Sequence, residues 1–303
     1  MKTHNKIVTC LLGDPVEHSV SDTMFQYFAS ATGINNYQHL KLRIPTANSD
    51  NLGIAIRAMT LFDFAGANIT LPYKEKVIPL LDKLSVEAER VGAVNTIVNR
   101  SGRLAGFNTD GCAALKAIEK HLRPLREDDC ALILGAGGCA RAIIGSVAPK
   151  VGRVVVLSRA SDSKRATRMR DDFAKHNMPI SVKALNHRNL VVEIRSSSLV
   201  VNATPVGMYP HSERCLVSQS DLEAAGGRST IKDKMFFDAI FNPSSTKLLW
   251  LAESYGAAIC SGIYMMIYQG IEAFKLWTGK DVPAEQEVEQ VRTILINKIK
   301  SAY

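Results

Sequence analysis

The segment LILGAGGCARA, residues 132–142, constrains the fold more than any other part of this chain. An apolar run leads into Gly135, Gly137 and Gly138, and a helical pattern follows. In that setting the first glycine permits a tight turn, the second lets the backbone approach a pyrophosphate, and the helix start offers unpaired N–H groups. The pattern indicates a dinucleotide-binding unit, with Ala140 in the place of the usual third small residue. A glycine turn without a ligand is the alternative.

The second predicted strand of this unit ends in Ser158 and Arg159. A chain that binds NAD usually carries an acidic residue there, which holds the ribose 2′-hydroxyl. Arg159 instead favours a 2′-phosphate, so NADP is the expected cofactor and NAD stays possible. Lys164 and Arg165 follow on the next helix, where they either add to an anion pocket or are simply solvated.

Length and composition limit the class of protein. The 303 residues suggest about two domains, and 46% hydrophobic with 22% charged residues is typical of a globular chain. No apolar run reaches the roughly 18 residues that a membrane span needs. Six scattered cysteines without a C-x-x-C pair predict buried thiols and no metal site. We therefore expect a cytoplasmic protein.

The net charge is +8, from 37 Lys and Arg against 29 Asp and Glu. The basic residues are dispersed apart from the stretch 159–170, which favours attraction of small anionic ligands over nucleic-acid binding.

Periodicity predicts an α/β protein with parallel βαβ units. In the first part of the chain, apolar runs at 7–12, 39–44 and 64–71 alternate with helical patterns around 22–32 and 50–60. From Cys130 onward, strands and helices alternate again, which indicates parallel strands with crossover helices. A final helical stretch carries one apolar stripe predicted to pack in the core, formed by Ile263, Met266, Ile267, Gly270, Phe274 and Trp277.

Two polar residues stand at predicted helix starts. Pro72 suits the first position of a helix, which predicts Lys74 in an opening turn where the helix dipole disfavours a cation and eases proton release. Asp110 follows Asn108 and Thr109 at the start of another predicted helix, a place that favours a carboxylate. A surface lysine and a capping aspartate are the alternatives.

Eight short sequence motifs follow one another along the chain in an order that is recognisable. The chain resembles the shikimate dehydrogenase family from Gly13 to Gly279. The motifs are GDPVEHSVS, NITLPYK, GAVNT, GFNTDG, GAGGCARA, NATPVGM, NPSST and YQG before WTG.

The resemblance implies a two-domain α/β fold. Residues 1–110 would form a catalytic, substrate-binding domain completed by C-terminal helices within 262–303. Residues 111–261 would form an inserted, Rossmann-type NADP-binding domain. The implied reaction is reversible reduction of 3-dehydroshikimate to shikimate by NADPH.

The resemblance also assigns site residues. Lys74 and Asp110 correspond to the catalytic pair, with Lys74 handling the proton and Asp110 positioning it. The implied substrate contacts are Ser19 and Ser21 to the carboxylate, Asn95, Asp110 and Gln269 to the ring hydroxyls, and Thr70. The implied cofactor contacts are Gly135, Ala136, Gly137, Gly138, Ser158, Arg159, Ala203, Thr204, Pro205, Gly262 and Met265.

Several positions depart from the family pattern. Phe241 stands where a tyrosine hydroxyl commonly reaches the substrate, and its loss is expected to cost about 0.5 to 1.5 kcal/mol of binding. Asp22, Phe25 and Gln26 replace a proline and a His-Asn pair near the carboxylate end. Ser158 and Ala160 replace two polar members of the phosphate clamp.

Other interpretations stay open on the sequence. One is a quinate/shikimate dehydrogenase of degradative metabolism that uses NAD. Another is a non-catalytic module that senses shikimate or nucleotide, against which the presence of Lys74 and Asp110 argues. A third is a different two-domain Rossmann oxidoreductase, such as a methylenetetrahydrofolate dehydrogenase. The expected partner is a small-molecule substrate, with no nucleic acid or membrane, and the chain is expected to be a monomer or homodimer.

Overall fold

The computed structural model describes residues 6–48, 50–282 and 285–301, and for residues 285 and 286 the backbone alone. The chain forms two compact units, Met1–Thr109 with Gln269–Tyr303, and Asp110–Tyr268. The sequence places the domain boundaries at 110/111 and 261/262, near these changes. The substrate-binding and cofactor-binding roles that go with those boundaries stay predictions.

The helices and strands of the first 109 residues are β1 (Ile7–Gly13), α1 (Ser21–Ala31), β2 (Tyr37–Arg43), α2 (Asn51–Leu61), β3 (Gly66–Ile69), β4 (Lys83–Leu84), α3 (Val86–Val91), β5 (Thr96–Arg100) and β6 (Arg103–Phe107). Those that follow are α4 (Asp110–His121), β7 (Cys130–Leu134), α5 (Gly138–Val147), β8 (Arg153–Ser158), α6 (Ser163–Lys175), β9 (Ser181–Ala184), α7 (His187–Ser196), β10 (Leu199–Asn202), α8 (Gln219–Ala224), α9 (Gly227–Ile231), β11 (Met235–Asp238), α10 (Lys247–Ser254), β12 (Ala258–Ser261), α11 (Gly262–Thr278) and α12 (Glu285–Ser301).

The first unit contains a mixed six-stranded sheet in the order β2-β1-β3-β5-β6-β4. Strand β1 pairs in parallel with β2 and β3, whereas β5 runs antiparallel to both β3 and β6. Leu12, Ile69 and Ile97 lie in its apolar core. The carboxyl ends of β1 and β3 lead into the loops that carry Ser19 and Lys74.

An aromatic cluster joins the C-terminal part of this unit to α1. Phe28 lies 5.9 Å from Phe274 between ring centroids, and Phe25 lies 5.1 Å from Trp277. The Trp277 indole N–H donates to the backbone oxygen of Ile97 at 2.8 Å. Phe25, a departure from the family pattern, is therefore a fully buried core residue.

The predicted apolar stripe of α11 is confirmed at most positions. Ile263, Ile267, Gly270, Phe274 and Trp277 are buried, and Met266 is half-buried. A Cβ at Gly270 would come within 2.4 Å of the Met24 methyl carbon, so a side chain there would require the Met24 side chain to move.

The second unit contains a parallel six-stranded sheet in the order β12-β11-β10-β7-β8-β9. Read from the other edge, this is the strand order 3-2-1-4-5-6 of the Rossmann fold. Its strands β7, β8, β10 and β11 are almost entirely buried, as expected for a parallel sheet covered by helices on both faces. The α/β fold class predicted from the sequence is confirmed.

The predicted helix beginning at Pro72 is wrong. Residues 71–77 form consecutive turns, in which the Tyr73 N–H donates to the Thr70 oxygen at 3.0 Å and the Leu71–Pro72 peptide is cis. Only a three-residue 3₁₀ turn, Ile78–Leu80, follows. Lys74 therefore does not lie in the first turn of a helix, and no helix dipole eases its proton release.

The cysteine prediction is correct for part of the set. Cys10, Cys130 and Cys260 are buried, and burial raises the pKa of the Cys10 and Cys260 thiols to about 12. Cys139 and Cys215 are half-buried, and Cys112 is exposed. In the described parts of the chain, every helix is too short or too polar to cross a bilayer.

Candidate active site

The glycine turn after β7 leaves open space over the start of α5. Gly135 has a φ of +109°, and a Cβ there would come within 2.7 Å of the Thr204 methyl carbon. Gly137 is the N-cap of α5, and Cβ atoms built on Gly137 and Gly138 would meet no heavy atom within 4 Å. The N–H groups of this helix start and the open space beside them fit the pyrophosphate of a dinucleotide. Ala136 is buried beside the turn.

The end of β8 presents a basic side chain where the cofactor ribose is expected. Ser158 is buried, whereas the Arg159 side chain is 73% exposed. The Arg159 Nε lies 2.9 Å from Asp162 Oδ2, three residues further along the chain. Lys164 and Arg165 are exposed on α6. The exposed guanidinium fits a 2′-phosphate, which would compete with Asp162 for it.

The loop after β10 is held by a network around Asn202. The Asn202 Oδ1 accepts hydrogen bonds from the Thr204 hydroxyl at 2.7 Å and the Thr204 N–H at 3.1 Å, and its Nδ2 donates to the Val206 oxygen at 3.2 Å. Ala203 is buried and Pro205 is exposed at the tip of this turn. These contacts fix the predicted cofactor loop close to the glycine turn, because Thr204 packs beside Gly135.

Asp238, at the end of β11, connects this loop to the next one. The fully buried carboxylate accepts from Asn202 Nδ2 at 3.0 Å, the Ile240 N–H at 3.0 Å and the Thr246 hydroxyl at 2.7 Å. Burial outweighs these three bonds and raises the pKa of Asp238 to about 6. Asp238 is not among the residues predicted from the sequence, although an acidic residue inside the apolar run MFFDAIF is a signal.

The remaining residues assigned to the cofactor, Gly262 and Met265, lie on α11, and Phe241, assigned to the substrate, lies in the loop between β11 and α10. The Gly262 N–H donates to the Ile240 oxygen at 3.2 Å, and a Cβ on Gly262 would come within 2.4 Å of the Ala239 backbone. Met265 is buried and Phe241 is half-buried. Gly262 is therefore required by the close approach of α11 to the end of β11.

Ser19 and Ser21 are brought together in the loop before α1. The Ser19 hydroxyl donates to the Ser21 hydroxyl oxygen at 3.0 Å and accepts from the Ser21 N–H at 3.2 Å. Lys41, on the adjacent strand β2, donates from Nζ to the Ser19 backbone oxygen at 2.9 Å. The two hydroxyls form the kind of paired donor that can hold a carboxylate, and a cation lies beside them.

Lys74 lies in the turn that follows β3. Its side chain is half-buried, and its backbone oxygen accepts from the Val94 N–H at 2.8 Å, one residue before Asn95. Thr70 is half-buried and donates its N–H to the Leu12 oxygen at 2.9 Å. These backbone bonds fix the turn to the sheet without a helix.

The residues before α4 are hydrogen-bonded to Asn95, the residue directly before β5. The Asn95 amide bonds both the N–H and the hydroxyl of Thr109. The Thr109 hydroxyl lies 3.3 Å from the backbone oxygen of the half-buried Gln269. Asp110 follows as the first residue of α4 and is only 7% exposed. The structure thus groups Asn95, Thr109 and Gln269 and confirms that Asp110 begins a helix.

One unit has the Rossmann strand order and an open glycine turn, and the other α/β unit of the chain carries a serine pair and a lysine turn. Together these features define the class of nucleotide-dependent oxidoreductases. Family models match the chain at both ends. The shikimate dehydrogenase substrate binding domain matches residues 11–97, and the shikimate 5'-dehydrogenase C-terminal domain matches residues 262–292.

Similar proteins extend the match over nearly the whole chain. The NADP(+) shikimate dehydrogenase of Methanopyrus kandleri is 36% identical over 288 residues, which cover 94% of each protein. The chain therefore belongs to the shikimate dehydrogenase family, as its motifs predict.

Two solved structures are similar in fold. The Thermus thermophilus shikimate 5-dehydrogenase, in complex with NADP(H) and shikimate, is 30% identical with a TM-score of 0.77, covering 95% of this chain and 99% of that one. The Corynebacterium glutamicum quinate dehydrogenase, in complex with NAD, is 28% identical with a TM-score of 0.82, covering 96% and 99%.

Proposed function

We propose that this protein catalyses the reversible, NADP(H)-dependent reduction of 3-dehydroshikimate to shikimate. The observation that carries the proposal is the buried carboxyl group of Asp110 at the start of α4, directly after the Thr109 that Asn95 holds. A buried carboxyl group needs partners or a function to offset its desolvation. In a member of this family, that carboxyl group and Lys74 correspond to the catalytic pair.

Lys74 and Asp110 manage the proton. In the direction of reduction, the Lys74 ammonium group donates a proton to the ring oxygen as negative charge develops on it, and in oxidation the neutral amine takes that proton back. Asp110 orients the lysine and stabilises its charged form. When bound, NADPH supplies the hydride for the carbonyl carbon.

The substrate is held by polar groups. Ser19 and Ser21 donate to the carboxylate, while Asn95, Asp110, Gln269 and Thr70 contact the ring. A site that pairs each hydroxyl discriminates strongly against rings that lack one, because the unpaired protein group then loses its partner. Phe241 contributes contact area and no hydrogen bond, so a family tyrosine at this position would bind the ring more tightly.

The cofactor is held by the second unit. The N–H groups at the start of α5 and the open space over Gly137 and Gly138 accommodate the pyrophosphate. Gly135 and Ala136 shape the turn, Ser158 and Arg159 meet the 2′-phosphate, and Ala203, Thr204, Pro205, Gly262 and Met265 line the ribose and nicotinamide end. The exposed Arg159 favours NADP over NAD.

A cytoplasmic location and a monomeric or homodimeric state complete the proposal. The free cysteines, two of them buried with raised thiol pKa values, suit a reducing compartment. Cell fractionation and sedimentation velocity test these two points.

Purified protein incubated with 3-dehydroshikimate and NADPH tests the function. We expect stoichiometric loss of NADPH absorbance and formation of shikimate, identified by mass. Binding of shikimate by calorimetry without any turnover would replace the enzyme with a sensing module. Turnover of quinate with NAD⁺ in preference to shikimate would replace it with the quinate enzyme.

A further inference from the structure

The loop that carries the serine pair is surrounded by charged side chains. Asp14, Glu17 and Asp22 lie on or beside it, and Lys41 and Arg43 reach it from the end of β2. The described cluster thus holds three carboxylates against two cations before any substrate arrives. Binding a ring acid there adds another negative charge, which has to be offset.

The two cations have different partners. Arg43 is paired closely with Asp14, with Nε 2.7 Å from Oδ1, and its side chain is mostly exposed. Lys41 is only 26% exposed, and its Nζ donates to the backbone oxygens of Ser19 at 2.9 Å and Glu17 at 3.3 Å. These backbone bonds leave the full positive charge of Lys41 beside Ser19.

Asp22 makes this charge necessary. Its Oδ2 lies 3.7 Å from Lys41 Nζ, which is too long for a strong hydrogen bond. Its Oδ1 is buried and has no hydrogen-bond partner among the described residues. Asp22 is next to Ser21 in the chain, so an anionic ligand on the serine pair would meet a nearby carboxylate.

We propose that Lys41 is a specificity-determining residue of the carboxylate subsite. Its ammonium group holds the Glu17–Ser19 backbone and offsets Asp22, and it thereby makes the serine pair selective for a ring that carries a carboxylate. This inference rests on the proposed function, in which Ser19 and Ser21 receive the substrate carboxylate.

The test compares shikimate with its uncharged methyl ester as substrates at saturating NADP⁺. In Lys41→Met we expect kcat/KM for the acid to fall at least about tenfold more than kcat/KM for the ester, mainly through KM. Loosening of the loop alone would lower both substrates equally, so the acid-to-ester ratio separates charge recognition from structural support.

Matched variants complete the experiment. Lys41→Arg keeps the charge and is expected to restore most of the ratio, whereas Asp22→Asn is expected to raise the ratio by lowering KM for the acid. Lys83→Met, an exposed lysine on β4 of the same unit, is the control and should leave the ratio unchanged.

An unchanged ratio in both Lys41→Met and Asp22→Asn overturns the inference while the proposed function stands. If Lys41→Met does not fold, Asp22→Asn decides alone. The activity of the wild-type protein with shikimate is measured separately. If the wild-type protein does not oxidise shikimate, both the proposed function and this inference are overturned.

Discussion

The side-chain amide of Asn95 bonds Thr109 from both of its ends. Its Oδ1 accepts from the Thr109 N–H at 2.9 Å, and its Nδ2 donates to the Thr109 hydroxyl at 2.9 Å. Because Asp110 is the next residue, this pair of bonds fixes the backbone that leads into the proposed catalytic carboxylate. We therefore infer that Asn95 positions Asp110, in addition to the ring contact that the family resemblance implies.

Asn95→Ala is expected to lower kcat as well as stability. Removing a buried, doubly bonded amide costs on the order of 1 to 3 kcal/mol of unfolding free energy. Asn99→Ala is the matched control, since Asn99 is buried on β5, which begins directly after Asn95, and bonds the Phe64 oxygen and the Gly102 N–H. Urea unfolding and kcat of the folded fraction should show similar destabilisation but a fall in kcat for Asn95→Ala only. Equal kcat values would remove the positioning function.

Lys74→Ala is expected to lower kcat by roughly 10²- to 10⁴-fold, because the proton donor is lost. Stability should change little, since the side chain is half-buried and the turn is held by backbone bonds. Lys76→Ala, on the exposed part of the same turn, serves as the control for the steady-state assay. Wild-type kcat in Lys74→Ala would exclude this lysine from the mechanism.

Arg159→Gln is expected to raise KM for NADP⁺ about tenfold or more and to leave KM for NAD⁺ nearly unchanged, because only NADP⁺ carries the 2′-phosphate. Asp162→Asn removes the carboxylate that pairs with Arg159, so it should lower KM for NADP⁺. A parallel rise of KM for both cofactors in Arg159→Gln would argue against a phosphate contact.

Asp238 gives stability a defined pH dependence. Its pKa is about 6 in the folded state against an ordinary value of 3.8, so the folded protein holds this proton more tightly than the unfolded chain. The stability that Asp238 contributes is present in full below its pKa in the unfolded chain and is lost as the pH rises through about 6. The shift corresponds to about 3 kcal/mol.

Asp238→Asn mimics the protonated carboxyl group and should abolish this pH dependence of stability. We expect the unfolding free energy of the wild-type protein, relative to this variant, to decrease between about pH 4 and pH 7. Denaturant titrations across that range measure the difference. A constant difference would show that Asp238 has the same pKa in both states.

His39 gives stability the opposite pH dependence to that of Asp238. It is buried beside Phe25, its Nδ1 lies 2.8 Å from the Thr9 hydroxyl oxygen, and its Nε2 has no hydrogen-bond partner in the described part of the chain. Burial, together with the charge of Lys41, lowers the pKa of His39 to about 3. Stability from the neutral ring is therefore present above the ordinary value of 6.5 and is lost as the pH falls toward 3.

The His39→Gln variant should unfold at lower pH than the wild-type protein. Circular dichroism during an acid titration measures this difference. His176→Gln, at the exposed end of α6, is the control and should follow the wild-type curve. Identical acid midpoints for wild type and His39→Gln would rule out this histidine as the source of acid sensitivity.

The sequence was sufficient where a pattern is local and repeated. Buried strands such as β7 and β8 are predicted by their apolar runs, and α11 is predicted by the apolar stripe along one face. Strand β9 is not evident from the sequence because it is mostly exposed and has four residues only, and helix α7 is not evident because its apolar face spans little more than one turn.

The site shows the same division. Gly135 and Asp110 were predicted from their immediate neighbours, and the structure places them at the expected turn and helix start. The turn around Lys74 was mistaken for a helix because its hydrogen bonds to Val94 and Thr70 are set by the sheet. The Asn95–Thr109 and Lys41–Ser19 contacts join residues far apart in sequence, which no local pattern contains.

The most direct test of the central claim is kcat/KM of the purified protein for shikimate and quinate, each with NADP⁺ and with NAD⁺. We expect shikimate with NADP⁺ to give the highest value of the four and Lys74→Ala to abolish it. Absence of turnover in all four reactions, or the highest value for quinate with NAD⁺, would contradict the claim.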